Sequence, residues 1–258
     1  MVSVSLVDTP VALITGGHRR LGGHIALALG KAGYRLALHG SHDCALEGWL
    51  ADAFAAADVK WAGFVADFSQ PERATALMRE VTAHFGHAPD VLVNSAALFG
   101  QDRLEDVTAD DLMRHYAVNA AAPVLLAQAF AATQSPANGR CIVNILDQRL
   151  NHPHGDQLAY TLSKQALAGF TQIAAREMAR QGIRVNAVAP GLTLATDAYD
   201  AERMERLENM MPLRRLPQPE DIAEAVLYLA RARSVTGQVI AVDGGAQLRS
   251  YARDFMHL

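Results

Sequence analysis

Two cysteines in 258 residues, Cys44 and Cys141, are too few for a disulfide framework, and neither sits at a metal-ligand spacing. A reducing compartment suits such a chain, and no metal site is expected. Long apolar runs are missing too: no stretch could span a bilayer, and the opening Met-Val-Ser-Val-Ser-Leu-Val-Asp lacks a basic region followed by an apolar signal core. The expectation is a cytoplasmic protein with no membrane partner. Charge is scarce and nearly balanced. A formal net charge of -4 and a pI near 6.2 give no broad basic surface, so nucleic acid is not an expected partner. What is present is 50% hydrophobic residues against 19% charged, which excludes a disordered chain and permits one sizeable core. One domain over residues 1–258 suits this length better than two small ones.

Short Val/Ile/Leu runs alternate with helical stretches. Val11 to Thr15 is closed by Gly16-Gly17 and followed by an Ala/Leu/Ile-rich segment from about Leu21 to Ala32, which reads as strand, turn, helix. Further strands are expected at Arg35 to His39, Trp61 to Ala66, Asp90 to Ser95, Gly139 to Leu146, Ile183 to Ala189 and Gln238 to Val242. Helices fill the intervals, the longest around Ala159 to Arg180. This rhythm predicts an α/β fold, a doubly wound Rossmann-type parallel sheet of about seven strands with helices on both faces. Ligands in such sheets sit at the carboxyl ends of strands, so the strand exits become walls of one crevice. Residues 191–218, with Pro212 and Pro217 and a charged helix-like run from Glu202 to Leu207, break the rhythm and suit a substrate loop. Within it, Tyr199 and Met210 suit either a substrate wall or simple packing.

The first strand exit, Thr15-Gly16-Gly17-His18-Arg19-Arg20-Leu21-Gly22, has the glycines for a tight turn and a close helix approach, so helix N-terminal amides can receive a pyrophosphate. Arg19 and Arg20 add positive charge there. At the second strand exit a dinucleotide with a free ribose would call for Asp or Glu; the chain has His39-Gly40-Ser41-His42-Asp43 instead. Gly40 and Ser41 leave room for a 2'-phosphate, to which Ser41, His42 and Arg19 can donate, while Asp43 opposes it if turned inward. NADPH is therefore the expected cofactor. His39 reads equally as a structural residue, and Asp67 after the third strand as an adenine contact or a turn cap.

Tyr160 and Lys164 lie one helical turn apart, with Asp147 thirteen residues before the tyrosine. A lysine so placed can lower the phenol's pKa and reach a ribose hydroxyl, and the tyrosine can move the proton that accompanies hydride transfer. Asp147 can hydrogen-bond to Tyr160, and Asn119 can extend a water-linked proton path or serve in helix packing.

Taken together, these motifs resemble the short-chain dehydrogenase/reductase family over nearly the whole chain: Thr15, Gly16 and Gly22, then Asn94-Ser95-Ala96, Asn119, Tyr160 and Lys164, Asn186 to Gly191, and Val242 to Gly245. The resemblance implies cofactor contacts at His18 and Leu21 as well as Gly16, Arg19 and Arg20, at Asp67 and Phe68, at Asn94, Ser95 and Ala96, and at Pro190, Gly191 and Leu192. It also implies a homodimer or homotetramer.

Two departures narrow it. Arg20 replaces the middle glycine of the cofactor turn, and Asp147 replaces the serine upstream of tyrosine. Both are similar to the pteridine reductase branch and its dihydromonapterin reductase relatives. There the matching arginine reaches cofactor phosphate and pterin, the aspartate supports the tyrosine, and the aromatic at Phe99 stacks on the pterin. The branch implies NADPH-dependent reduction of a dihydropterin, with Arg20, Phe99, Asp147 and Tyr160 at the substrate. Ala97, where the branch often has a pterin-contacting serine, is a further difference. A ketone or 3-oxoacyl reductase, and a non-catalytic dinucleotide-binding regulatory protein, are the alternatives.

Overall fold

The computed structural model describes residues 9–133, 139–194 and 200–257. Seven strands, β1 (Val11–Thr15), β2 (Arg35–Gly40), β3 (Trp61–Val65), β4 (Val91–Asn94), β5 (Cys141–Ile145), β6 (Arg184–Pro190) and β7 (Val239–Val242), form one parallel sheet in the order β3-β2-β1-β4-β5-β6-β7. Each lies within a residue or two of its expected bounds. This is a single-domain Rossmann-type fold.

The side-chain alternation of a strand divides the core. In β1, Val11 and Leu13 join the apolar layer under α3 (Arg73–Phe85), α5 (Ala122–Ala132) and α6 (Leu158–Met178), whereas Ala12 and Ile14 join the layer under α1 (Arg20–Lys31), α2 (Gly48–Ala56) and α8 (Pro219–Arg231). Both faces of the central strands are thus covered, which explains why they read as continuous apolar runs. At the β3 edge the alternation surfaces, and Trp61 and Val65 are exposed.

Strand order reverses between β1 and β4, leaving a crevice at their carboxyl ends. Register pairs Thr15 with both His39 and Asn94, and Asn94 with Asn144, so four strand exits end at one level. Between β4 and β5, α4 (Ala109–Tyr116) starts with a reciprocal Thr108/Asp111 cap and continues into α5 through a π-turn, Ala117–Ala121, that carries Asn119.

Of residues 191–218, Asp197 and Tyr199 lie outside the described residues. The segment contains α7 (Ala201–Met210), begun by Asp200 accepting from the Arg203 amide at 2.8 Å. Leu207, Met211 and Leu216 pack on Ala246 and Phe255, with Met210 beside them as a packing residue. No helix among the described residues is long and apolar enough to cross a membrane.

Candidate active site

A cavity of about 1050 Å³ runs along the strand exits and is lined from Gly16 and Arg20 at one end to Tyr160 and Met256 at the other. Its β1–β2 end is shaped by backbone. A Cβ on Gly22 would stand 2.1 Å from the Gly16 carbonyl oxygen, so only glycine lets α1 approach the turn this closely. Gly40 is equally constrained, its absent Cβ falling 1.8 Å from the Asp43 carbonyl oxygen. Arg20 keeps a left-handed backbone, φ +47°, the conformation a glycine adopts freely. Helix α1 opens with no side-chain cap and no acid in its first turn. The Arg20 amide is instead taken by Glu47 Oε2 at 3.0 Å, which also accepts from Trp49 at 2.7 Å.

His39 braces this end. Its Nε2 lies 2.8 Å from the Ala66 carbonyl oxygen, its Nδ1 accepts from the Gly16 amide at 3.3 Å, and its ring stacks on Phe68 at 4.2 Å. Burial lowers its pKa to about 4, so the ring is neutral at pH 7 and cannot supply charge to a phosphate. Ser41, His42 and Asp67 line the cavity, and Asp67 also caps the turn at Ser69. Asp43 caps its own turn through the Ala45 amide and does not line the cavity. Thr15 Oγ1 accepts from both Ser95 and Ala96 amides at 3.0 Å, tying the β4 exit to the glycine turn.

At the other end, the Tyr160 hydroxyl donates to Asp147 Oδ2 at 3.0 Å, and Lys164 Nζ donates to the Ile145 carbonyl at 2.7 Å. All three residues line the cavity. The phenol's pKa is not lowered, contrary to the lysine argument. Burial raises it well above its ordinary value, the neighbouring Asp147 raises it further, and the opposing cation is Arg149. Burial brings Lys164 down to about 8. Tyr160 is therefore held protonated, as a donor.

Phe99, 48% exposed, sets its ring 4.6 Å from that of Tyr160 at a steep angle and faces the cavity. Pro190, Gly191 and Leu192 form the β6 wall, and His18, Leu21 and Phe68 also line it. Asn94 and Asn119 are placed differently. The Asn94 side chain is buried in the sheet, donating to Asn144 at 2.8 Å. The Asn119 amide clamps the Leu98 backbone in both directions, at 2.7 and 2.8 Å, and donates to Ser163 at 2.9 Å. Its side chain holds the Phe99 loop against α6.

A family model described as enoyl-(acyl carrier protein) reductase matches residues 17–247. The chain belongs to the short-chain dehydrogenase/reductase family. Pteridine reductase 1 of Leishmania tarentolae is 34% identical, covering 93% of this chain and 96% of that protein. The 3-oxoacyl-[acyl-carrier-protein] reductase FabG of Staphylococcus aureus is 32% identical over 92% and 98% of the two chains. Among solved structures, FolM alternative dihydrofolate reductase 1 from Brucella canis, complexed with NADP, superposes with a TM-score of 0.85 at 33% identity, covering 96% of this chain and 98% of that one. The Brucella suis FolM complex with NADP gives 0.86 at 32% identity, covering 97% and 99%.

Sequence reasoning missed one central residue of this short-chain reductase site. Arg149 is buried, and each of its side-chain nitrogens has its own acceptor: Nε on Asp147 at 3.0 Å, Nη1 on Gln157, and Nη2 on Asp254 at 2.9 Å. Its guanidinium carbon is 5.2 Å from the Tyr160 ring centre. The Asp-Gln-Arg order after β5 is the only local signal, since an arginine two residues past an inward carboxylate has a partner at hand. Asp254, 105 residues away, carries no local signal.

Proposed function

We propose that the protein is an NADPH-dependent pterin reductase acting on a dihydropterin such as dihydromonapterin or dihydrobiopterin. The observation that carries this reading is the convergence of Arg20, Phe99, Asp147 and Tyr160 on one cavity, a cationic fork, a flat ring and a proton donor facing the same space. The cavity also fits the cofactor: the first-turn α1 amides after Arg20, whose own amide is held by Glu47, and the Arg19 side chain suit the pyrophosphate, and Ser41 and His42, with Asp43 turned away, suit a 2'-phosphate. The relatives solved with NADP are consistent with this.

When bound, the nicotinamide supplies hydride. Tyr160 gives the proton, its hydroxyl leaving Asp147 for the substrate nitrogen; Lys164 orients the ribose and, with Arg149, offsets the charge left on the phenolate. Asp147 accepts at both oxygens, from the Arg149 amide and Nε at one and Tyr160 at the other. No donor is left on it for a substrate carbonyl, which disfavours 3-oxoacyl reduction. Phe99 and Arg20 hold the ring, and residues 191–218 serve as the substrate loop of a single domain, with Leu192, Thr193 and Leu194 on the cavity wall. Self-association belongs to the same reading, supported by exposed Leu112, Met113 and Tyr116 on α4 and Leu162 on α6.

NADPH and NADH consumption measured side by side with dihydrobiopterin, dihydromonapterin, dihydrofolate and a ketone panel tests the proposal, with Tyr160→Phe as control. Tyr160-dependent pterin turnover favouring NADPH is expected. Ketone turnover without pterin turnover overturns the substrate assignment, and cofactor binding with neither turnover overturns the enzymatic one.

A further inference from the structure

The C-terminal segment is bound over the site although the sheet is complete without it. Beyond β7, Asp254, Phe255 and Met256 line the same cavity as Tyr160. Buried charge holds them there. Arg149 Nη2 donates to Asp254 Oδ2 at 2.9 Å, the Asp254 amide donates to Asp156 Oδ2 at 2.9 Å, and Arg253 Nε donates to both Asp156 oxygens at 3.2 and 2.9 Å. Side-chain exposures of 7% for both Arg149 and Asp254 mean the pair is desolvated, so removing either partner leaves a buried group without its counterpart. Arg203 of α7 reaches the Phe255 and Met256 carbonyls, and Gln101 Nε2 lies 3.4 Å from Met256 Sδ.

Arg149 also controls both sides of the proton donor. It fixes Asp147 through its own amide at 2.9 Å and its Nε at 3.0 Å, and it holds Gln157, a buried residue with left-handed backbone (φ +57°) that starts the helix carrying Tyr160. A non-glycine residue keeps such a conformation only where its surroundings determine it.

Building on the reductase reading, we propose that Arg149 and Asp254 are positioning residues: the docked C-terminal segment, through the Asp254–Arg149 pair, holds the Asp147 carboxylate against the Tyr160 hydroxyl while Phe255 and Met256 complete the substrate wall. Closure of the crevice and alignment of its proton donor are then one event.

The test uses the full chain with Asp254→Asn, Arg149→Lys and the double variant, following kcat, substrate KM, the NADPH dissociation constant by fluorescence, and hydrogen exchange in peptides spanning 250–257 and 157–164. Since a misplacement on the order of 1 Å costs on the order of 100-fold, each single variant should lower kcat by about tenfold or more, with NADPH affinity unchanged and exchange faster in both peptides. The double variant should be no worse than Arg149→Lys alone, because Asp254 acts on the proton donor through Arg149. Additive losses, unchanged kcat with a loosened segment, or a loss traced to weaker NADPH binding would each overturn the proposal. If Arg149→Lys does not fold, the isosteric Asp254→Asn decides by itself. If the unaltered protein reduces neither pterin nor ketone, the reductase reading fails separately, and unchanged exchange at 157–164 in Asp254→Asn would still refute the link.

Discussion

The two ends of the cavity are built by different physics. At the β1–β2 end, shape comes from backbone: glycines without room for a Cβ, amides accepted by Thr15, and a neutral His39 wedged between strand exits. At the Tyr160 end, shape comes from buried charge gathered across the chain, with Asp147, Arg149, Asp156, Lys164 and Asp254 all largely removed from water. A backbone-made pocket depends on sterics and tolerates changes of surface charge. A charge-made pocket depends on every partner, since an orphaned buried ion is costly.

The largest expected effect is at the charged end. Tyr160→Phe removes only the hydroxyl, so pterin reduction should fall by about 10²- to 10⁴-fold while NADPH affinity holds, as steady-state kinetics and titration calorimetry would show. Loss of cofactor binding in this variant would erase the division between the ends. Next comes His39. Its folded pKa of about 4 lies below the ordinary 6.5, so the unfolded chain binds the proton first, and stability present above pH 6.5 drains away as pH falls towards 4. The loss is on the order of 3 kcal/mol, and His39→Gln should flatten that part of the melting profile.

Gly22→Ala should destabilise by about 1–3 kcal/mol and weaken NADPH, since a backbone oxygen 2.1 Å away cannot yield as a flexible side chain would. Asp147→Asn sharpens the electrostatic side. Losing the carboxylate lowers the phenol's pKa, so the alkaline limb of the reduction rate should move to lower pH. The smallest effect combines both kinds of physics at one residue: Arg20→Gly should relieve left-handed strain and raise stability by about 1 kcal/mol, yet raise the pterin KM because the guanidinium is gone. A fall in stability would show that the arginine side chain holds the turn.

Much of the backbone-made end could be read in advance, because its determinants are local. Gly16, Gly22, Gly40 and Ser41 act through their own conformation or missing side chains, and a strand followed by glycines and a helix has few other solutions. The place of Tyr160, Lys164 and Asp147 in one cavity was legible for the same reason, since two share a helix face and the third follows the adjoining strand. Their electrostatics were not legible. Spacing suggested a lysine lowering the phenol's pKa; burial and Asp147 raise it, and Arg149 is the cation that opposes them. Asn119 was open between a water-linked proton path and helix packing, and only the tertiary structure shows its side chain engaged in holding the Leu98 backbone.

By itself the sequence determined the alternation of strands and helices, the glycine turn and the one-turn spacing of Tyr160 and Lys164, because apolar periodicity, helical repeat and missing side chains act within a few residues. Tertiary structure alone decided that Asp147, Arg149, Asp254 and Met256 would line one cavity with Tyr160, and how strongly that phenol would hold its proton. Desolvation and ion pairing depend on what surrounds a group in space, and Arg149 and Asp254 become neighbours only after the sheet has brought 105 residues of chain back on itself.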